Sequence, residues 1–379
     1  MRHIAILTTS YPDNIPGSEA AGSFVEDFAR ELSGRVRVTV VTASSLDNIS
    51  SAGNLTVRRF AVPTLPLSLL NPLWPNQWVP IIVTLHRGLE AVKQLTIKDR
   101  PDHIFALWAL PCGYWANAVA REFQIPYSIW ALGSDIWSLG KIPLVRSYLR
   151  HVLKDAHACY ADGYQLASEV RKLGGRDCLF LPSTRRMEPV SSAHHSSAHP
   201  YKLAFLGRWH ANKGVDLLLD ALVQLSDADW QRISEVQIFG GGPLAAVVSE
   251  KTRVLQNLGK SVELGGYLNK VQASELIAWA DYLLLPSRIE SIPVIFSDAA
   301  KVGTPLVSTP VGDLPRLYED YQFGIMASDV NPGAFCMAIK MALRTNPSDF
   351  HAGLEKAKQD FNLPEIVDKF LDQASLQAC

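Results

Sequence analysis

Short apolar runs recur along the chain, and helical periodicity follows each of them. Residues 3–9 (HIAILTT), 37–43 (RVTVVTA), 103–108 (HIFALW), 125–132 (IPYSIWAL) and 158–162 (ACYAD) read as strands. Between the first two, Phe24, Val25, Phe28, Ala29 and Leu32 fall on one helical face. Strands that alternate with helices predict a parallel sheet covered on both sides. Residues 186–200 (RMEPVSSAHHSSAHP) are polar and aperiodic, and read as a linker. A second alternating series then begins, with strands at 202–207, 235–240, 262–266, 281–287 and 305–309. The pattern predicts an α/β chain of two doubly wound, Rossmann-like domains facing across a cleft. The first covers residues 1–185 and the second 201–361, with a last helix at 362–379. Ligands of such sheets sit at the carboxyl ends of the strands.

One segment departs from this rhythm. Residues 60–85 are strongly apolar, but Pro63, Pro66, Pro72, Pro75 and Pro80 break any helix long enough to span a bilayer. They read as a long loop entering a helix near residue 80. Leu69, Leu70, Leu73, Trp74 and Trp78 either pack on the domain or face a lipid interface.

Composition narrows the class. Hydrophobic residues make up 47 % and charged residues 19 % of the 379, a globular balance. The net charge of −1 argues against a nucleic-acid binder. Residues 1–185 carry 19 Lys+Arg against 15 Asp+Glu, and the remainder 17 against 22. The basic first half suits a solvated surface or a weak association with a membrane surface. Cys112, Cys159, Cys178, Cys336 and Cys379 form no CxxC pair, so a reduced, cytoplasmic setting is expected. The apolar run at the N-terminus is too short for a signal peptide's core. His194, His195 and His199 belong to the linker, where a solvated connection is expected in place of a metal site.

Three stretches carry chemistry. In FLGRWHANKGVD the strand ends at Gly207, Arg208 follows, and Lys213 comes five residues later. Cations at a strand end, ahead of a helix, suit a diphosphate. In IFGGGPL, Gly240, Gly241 and Gly242 close a strand and open a helix, where backbone approaches an anion or a sugar. In RIESIPVIFSD, Glu290 and Asp298 flank an apolar run. Pro293 suits a first helical turn, with Ser291 or Ile292 near its cap. Backbone N–H groups from Ile292 to Val294 then favour a phosphate. The two acids accept from hydroxyls on either side of it, a layout that suits a diphosphate between a ribose and a hexose. Asp227 and Asp229 have DxD spacing but read as a surface turn.

These motifs, with VELGGYL and the run through VGDLP, resemble glycosyltransferase family 4 in order and spacing over residues 200–317. The first half is similar more thinly, through TTSYPDNIPGSEAAG and ALGSDIW. The resemblance implies a GT-B enzyme that moves a sugar from a nucleotide-sugar with retention and without a metal or cofactor. It gives Arg208 and Lys213 to the donor diphosphate, Glu290 to the donor sugar and Asp298 to the ribose. The first loop, with Gly17 and Gly22, would face the acceptor, and the last helix would cross back to the first domain. Departures exist. Asp298 stands where Glu is usual, Asp313 and Arg316 where Gly and Glu are common, and Leu132 where His is frequent. The last shifts an expected contact to Asp135.

The expected activity is therefore transfer to a glycan or lipid-linked acceptor, in the cytoplasm or on the inner face of the membrane. Two alternatives stay open: a non-catalytic nucleotide-sugar-binding subunit of a glycan-synthesis complex, and a nucleotide-sugar epimerase.

Overall fold

A computed structural model describes residues 1–13, 18–65, 67, 70–190 and 198–376. Gly17, Pro66, Leu69, His194, His195 and Cys379 lie outside the described residues. The chain forms two units: residues 1–183 with 363–379, and residues 184–362.

Unit 1 contains β1 (His3–Thr8), α1 (Ser18–Ser33), β2 (Arg37–Ser44), β3 (Asn48–Ala52), β4 (Leu55–Ala61), α2 (Trp78–Lys98), β5 (His103–Leu107) and α3 (Cys112–Phe123). It continues with β6 (Tyr127–Ala131), α4 (Ser134–Trp137), α5 (Pro143–Asp155), β7 (Ala158–Ala161), α6 (Tyr164–Gly174) and β8 (Cys178–Phe180). The sheet order is β3-β4-β2-β1-β5-β6-β7-β8, parallel except for the β3–β4 hairpin. Alternation along β1 builds both cores. Ala5 and Leu7 face α2, α3, α5 and α6. Ile4 and Ile6 face α1 and the C-terminal helix Leu363–Leu376. On that second face Phe28, Phe105, Trp130, Tyr160 and Phe370 form an aromatic cluster, with Phe105 and Phe370 centroids 4.3 Å apart.

Unit 2 contains β9 (Tyr201–Arg208), α7 (Val215–Val223), α8 (Asp227–Trp230), β10 (Ile233–Gly241), α9 (Ala245–Asn257), β11 (Val262–Gly265), α10 (Lys270–Trp279) and β12 (Tyr282–Leu285). Then come α11 (Val294–Val302), β13 (Leu306–Ser308), α12 (Leu314–Tyr321), β14 (Gly324–Met326), α13 (Pro332–Ala342) and α14 (His351–Asp360). Its sheet is wholly parallel, in the order β11-β10-β9-β12-β13-β14. Leu203 and Phe205 of β9 pack against α7, α9 and α13.

The periodicity missed β3, β4, β8 and β14. β3 is wholly exposed, so burial imposes no apolar alternation on it. β4 places Arg58 and Arg59 side by side, and β8 and β14 have three residues each. The DxD pair caps a helix: Ser226 and Asp229 form a capping box, and Asp227 pairs with Lys260. Cys112, Cys159, Cys178 and Cys336 are buried thiols. Among the described residues no helix is long and apolar enough to cross a membrane, and no group of three His, Cys, Asp or Glu is placed to hold a metal ion.

Candidate active site

Neighbouring strands bring three loops together at the carboxyl edge of unit 2. β9 lies between β10 and β12, so the loops that follow these strands are adjacent. Arg208 is the last residue of β9 and sits beside Gly241 of β10. It is half-buried and has no ion-pair or side-chain hydrogen-bond partner among the described residues. The GGG turn is shaped by the chain itself. Gly240 and Gly242 have φ of 150° and 146°, and a Cβ on them would meet Gly207 O at 1.9 Å and Trp209 O at 2.8 Å. These glycines therefore admit the backbone leaving β9. A Cβ on Gly207, by contrast, would have ordinary space, its nearest neighbour being Phe205 at 3.4 Å.

Lys213 ends a short helical turn and is followed by Gly214 at φ 67°. A Cβ at Gly214 would lie 1.9 Å from Pro286 O, so only glycine lets this loop press on the end of β12. That contact brings Lys213 Nζ to 2.6 Å from Glu290 Oε1, which also accepts from Ser287 Oγ at 2.7 Å. Gly312, at φ 56°, makes room for the Glu290 carbonyl on the other side.

A clamp that the sequence did not reveal fixes these loops. The Arg288 N–H donates to Asn212 O at 2.7 Å, and its guanidinium donates to both Asp216 oxygens at 2.8 Å. Burial raises the Asp216 pKa, but the Arg288 hydrogen bonds outweigh it and the net shift is downward. The pair thus contributes stability above the ordinary carboxylate value and loses it as pH falls through the depressed one. Both groups are partly exposed, so Asp216→Ala should cost only about 1 kcal/mol. A thermal melt of the variant measures it. Nothing in the sequence singled out His210 either. It accepts from the Asn212 N–H at 3.2 Å, and burial, then Arg208 and Lys213, lower its pKa. A neutral imidazole therefore lies near both cations.

Pro293 is itself the N-cap of α11, with ψ 133°, so the helix begins later than the cap at Ser291 or Ile292 predicted. Proline disfavours helical backbone in the residue before it, which excludes Ile292 from the turn. The Ile292 and Pro293 side chains are buried. The Ser291 hydroxyl is buried with no partner among the described residues.

Asp298 is placed differently from Glu290. It is wholly buried, and its Oδ2 accepts from Arg185 Nε at 2.8 Å and Nη2 at 2.7 Å. Ser297 bonds Thr184, and Lys301 bonds both Thr184 and the Arg185 carbonyl. α11 is thus bolted to the segment that enters unit 2. The Oδ1 of Asp298 is buried with no hydrogen-bond partner among the described residues.

The two unit 1 residues serve the backbone around them. Gly22 of α1 packs on the preceding loop, where a Cβ would meet Pro12 and Tyr11 at 2.9 Å. Asp135 is buried and accepts from the N–H groups of Ala109, Leu132 and Ile136 at 2.6, 3.4 and 3.1 Å. Burial raises its pKa to about 6, against the lowering effect of those amides. A raised acid pKa means the folded unit gains stability below the ordinary value and loses it as pH rises through about 6. Asp135→Asn should flatten that part of the stability–pH curve, as read by urea melts between pH 4 and 7.

Residues 200–345 match the family described as Glycosyl transferases group 1. The match covers less than half of the 379 residues. Over 255 residues it is 24 % identical to the putative teichuronic acid biosynthesis glycosyltransferase TuaC of Bacillus subtilis, covering 62 % of this chain and 61 % of that one. Over 190 residues it is 28 % identical to the D-inositol 3-phosphate glycosyltransferase of Corynebacterium diphtheriae, covering 48 % and 44 %. The matches therefore span less than two thirds of these relatives' length. The sucrose-phosphate synthase of Thermosynechococcus elongatus superposes with a TM-score of 0.78 at 17 % identity, covering 99 % of both chains. Anabaena HepE, solved with UDP and glucose, gives 0.69 at 15 %, covering 98 % of this chain and 99 % of that one. The fold is GT-B, with two Rossmann-like units.

Proposed function

We propose that this protein is a retaining, metal-independent glycosyltransferase that moves a sugar from a nucleotide-sugar to a glycan or lipid-linked acceptor. The observation that carries the reading is the edge of unit 2. There Arg208, with no counter-ion among the described residues, ends β9, and Lys213 of the loop that follows pairs with Glu290 from the loop after neighbouring β12. The domain match and the glycosyltransferase relatives support it, as does the structural neighbour solved with UDP and glucose.

The diphosphate gains negative charge as the glycosidic bond breaks. Arg208 and Lys213 would stabilise that charge, aided by the first N–H groups of α11, in the role a divalent ion plays elsewhere. Donor binding would draw the Lys213 ammonium toward the diphosphate. Glu290, held by Ser287, would then accept from a hydroxyl of the donor sugar. With the departing phosphate taking the acceptor proton, no protein base is required. Titration calorimetry with UDP, GDP and ADP tests the donor half, and binding of none of them would refute it. Transfer by the purified chain separates this reading from a non-catalytic subunit.

A further inference from the structure

The helices on one face of the unit 1 sheet carry an exposed surface that is apolar in one part and basic in another. On α2 the outward stripe runs Trp78, Ile82, His86, Glu90 and Gln94, four residues apart. Its first turns are apolar and its later turns polar. Leu73, Trp74 and Val79 adjoin the apolar end, with Trp78 and Ile82 exposed to 53 % and 63 %. On α5, Leu144 is 86 % exposed, one turn from exposed Tyr148, while Arg146 and Arg150 form the neighbouring stripe behind Lys141.

Both helices begin at the carboxyl edge of the parallel strands, because each leads back into the next strand, β5 or β7. α3 lies between them and touches both, and its Tyr114 packs on Tyr148 with ring centroids 5.8 Å apart. The two apolar ends therefore belong to one side of the same helix layer.

Charge decides what fits. Residues 60–89 and 136–154 contain no Asp or Glu, and hold Arg87, Lys141, Arg146, Arg150 and Lys154. A second copy meeting this surface about a two-fold axis would set the basic stripe against itself. Exposed tryptophans beside lysine and arginine, with no acid, suit the boundary between lipid headgroups and acyl chains.

We propose that the N-terminal ends of α2 and α5 dock unit 1 on an anionic lipid surface. Trp74, Trp78, Val79, Ile82 and Leu144 enter the headgroup layer, and Lys141, Arg146 and Arg150 meet lipid phosphates. This stands independently of the transfer reaction, since its readout is binding.

The test is co-sedimentation of the full chain with vesicles of phosphatidylcholine alone, or mixed with phosphatidylglycerol. The protein should pellet with the mixed vesicles at low salt and be released at high salt. Arg146→Glu with Arg150→Glu should weaken binding on the order of 25-fold, at about fivefold per basic side chain. Trp74→Ser with Trp78→Ser and Ile82→Ser should abolish it, with the circular dichroism melt unchanged in both variants. Protein left in the supernatant at low salt overturns the proposal, as does undiminished binding by the triple-serine variant. A dimer that the triple-serine change converts to a monomer, without vesicle binding by the unaltered chain, would assign the surface to a second copy instead.

Discussion

Arg208→Ala should lower sugar transfer by on the order of 30- to 1,000-fold, or about 2–4 kcal/mol in the barrier. Charge develops on the diphosphate only as the sugar departs, so the loss should appear in kcat as well as in kcat/KM. The half-buried guanidinium has no carboxylate partner among the described residues. Its removal therefore strands no opposite charge, and stability should move by only about 0.5 kcal/mol. Arg208→Lys should recover part of the rate, because charge is kept while the two-pronged geometry is lost. Steady-state kinetics beside a thermal melt decides the matter. Wild-type turnover in the alanine variant would remove Arg208 from the reaction. A collapse of the melt would make its role structural.

The second large effect is expected at a residue with no chemistry of its own. Gly214→Ala must place a Cβ 1.9 Å from Pro286 O on backbone at φ 67°. The left-handed conformation alone costs about 1–2 kcal/mol, and displacement of the β12 loop should bring the total to about 2–4 kcal/mol. Gly259 separates the two contributions. It has φ 73° with nothing within 4 Å of a Cβ, so Gly259→Ala should show the conformational cost alone. Gly214→Ala should also weaken nucleoside diphosphate binding, since Lys213 precedes it and reaches Glu290 through that contact. Urea melts of the two variants, with calorimetry on the first, test this. Equal destabilisation by both would show that packing on Pro286 is immaterial.

Much of the fold was legible along the chain because fully buried parallel strands read as apolar runs bounded by turn residues. β9, β10 and β12 were found this way. The same reading put Arg208, Lys213 and Glu290 in loops at strand ends, where an α/β sheet exposes side chains, and the structure has them at the carboxyl edge of unit 2. β3 gave no such signal, because an exposed edge strand has no core face to declare it. Arg288 and Asp216 were passed over for a different reason. They lie 72 positions apart, and nothing local marks two ordinary charges as a pair.

The sequence by itself determined two parallel α/β sheets, and which loops at their strand ends carry cations, glycines and acids. Local periodicity and backbone preference suffice for that. Only the tertiary structure decided how those loops are used. Strand order set β9 between β10 and β12, and the bare Cα of Gly214 let one loop press on the next, which made a pair of Lys213 and Glu290. The same packing buried Asp298 against Arg185, 113 residues earlier, although its spacing from Glu290 had suggested an acid open to a hydroxyl. Side-chain partners across such separations are set by how elements stack. The short spacing between two acids in one loop and helix does not specify them.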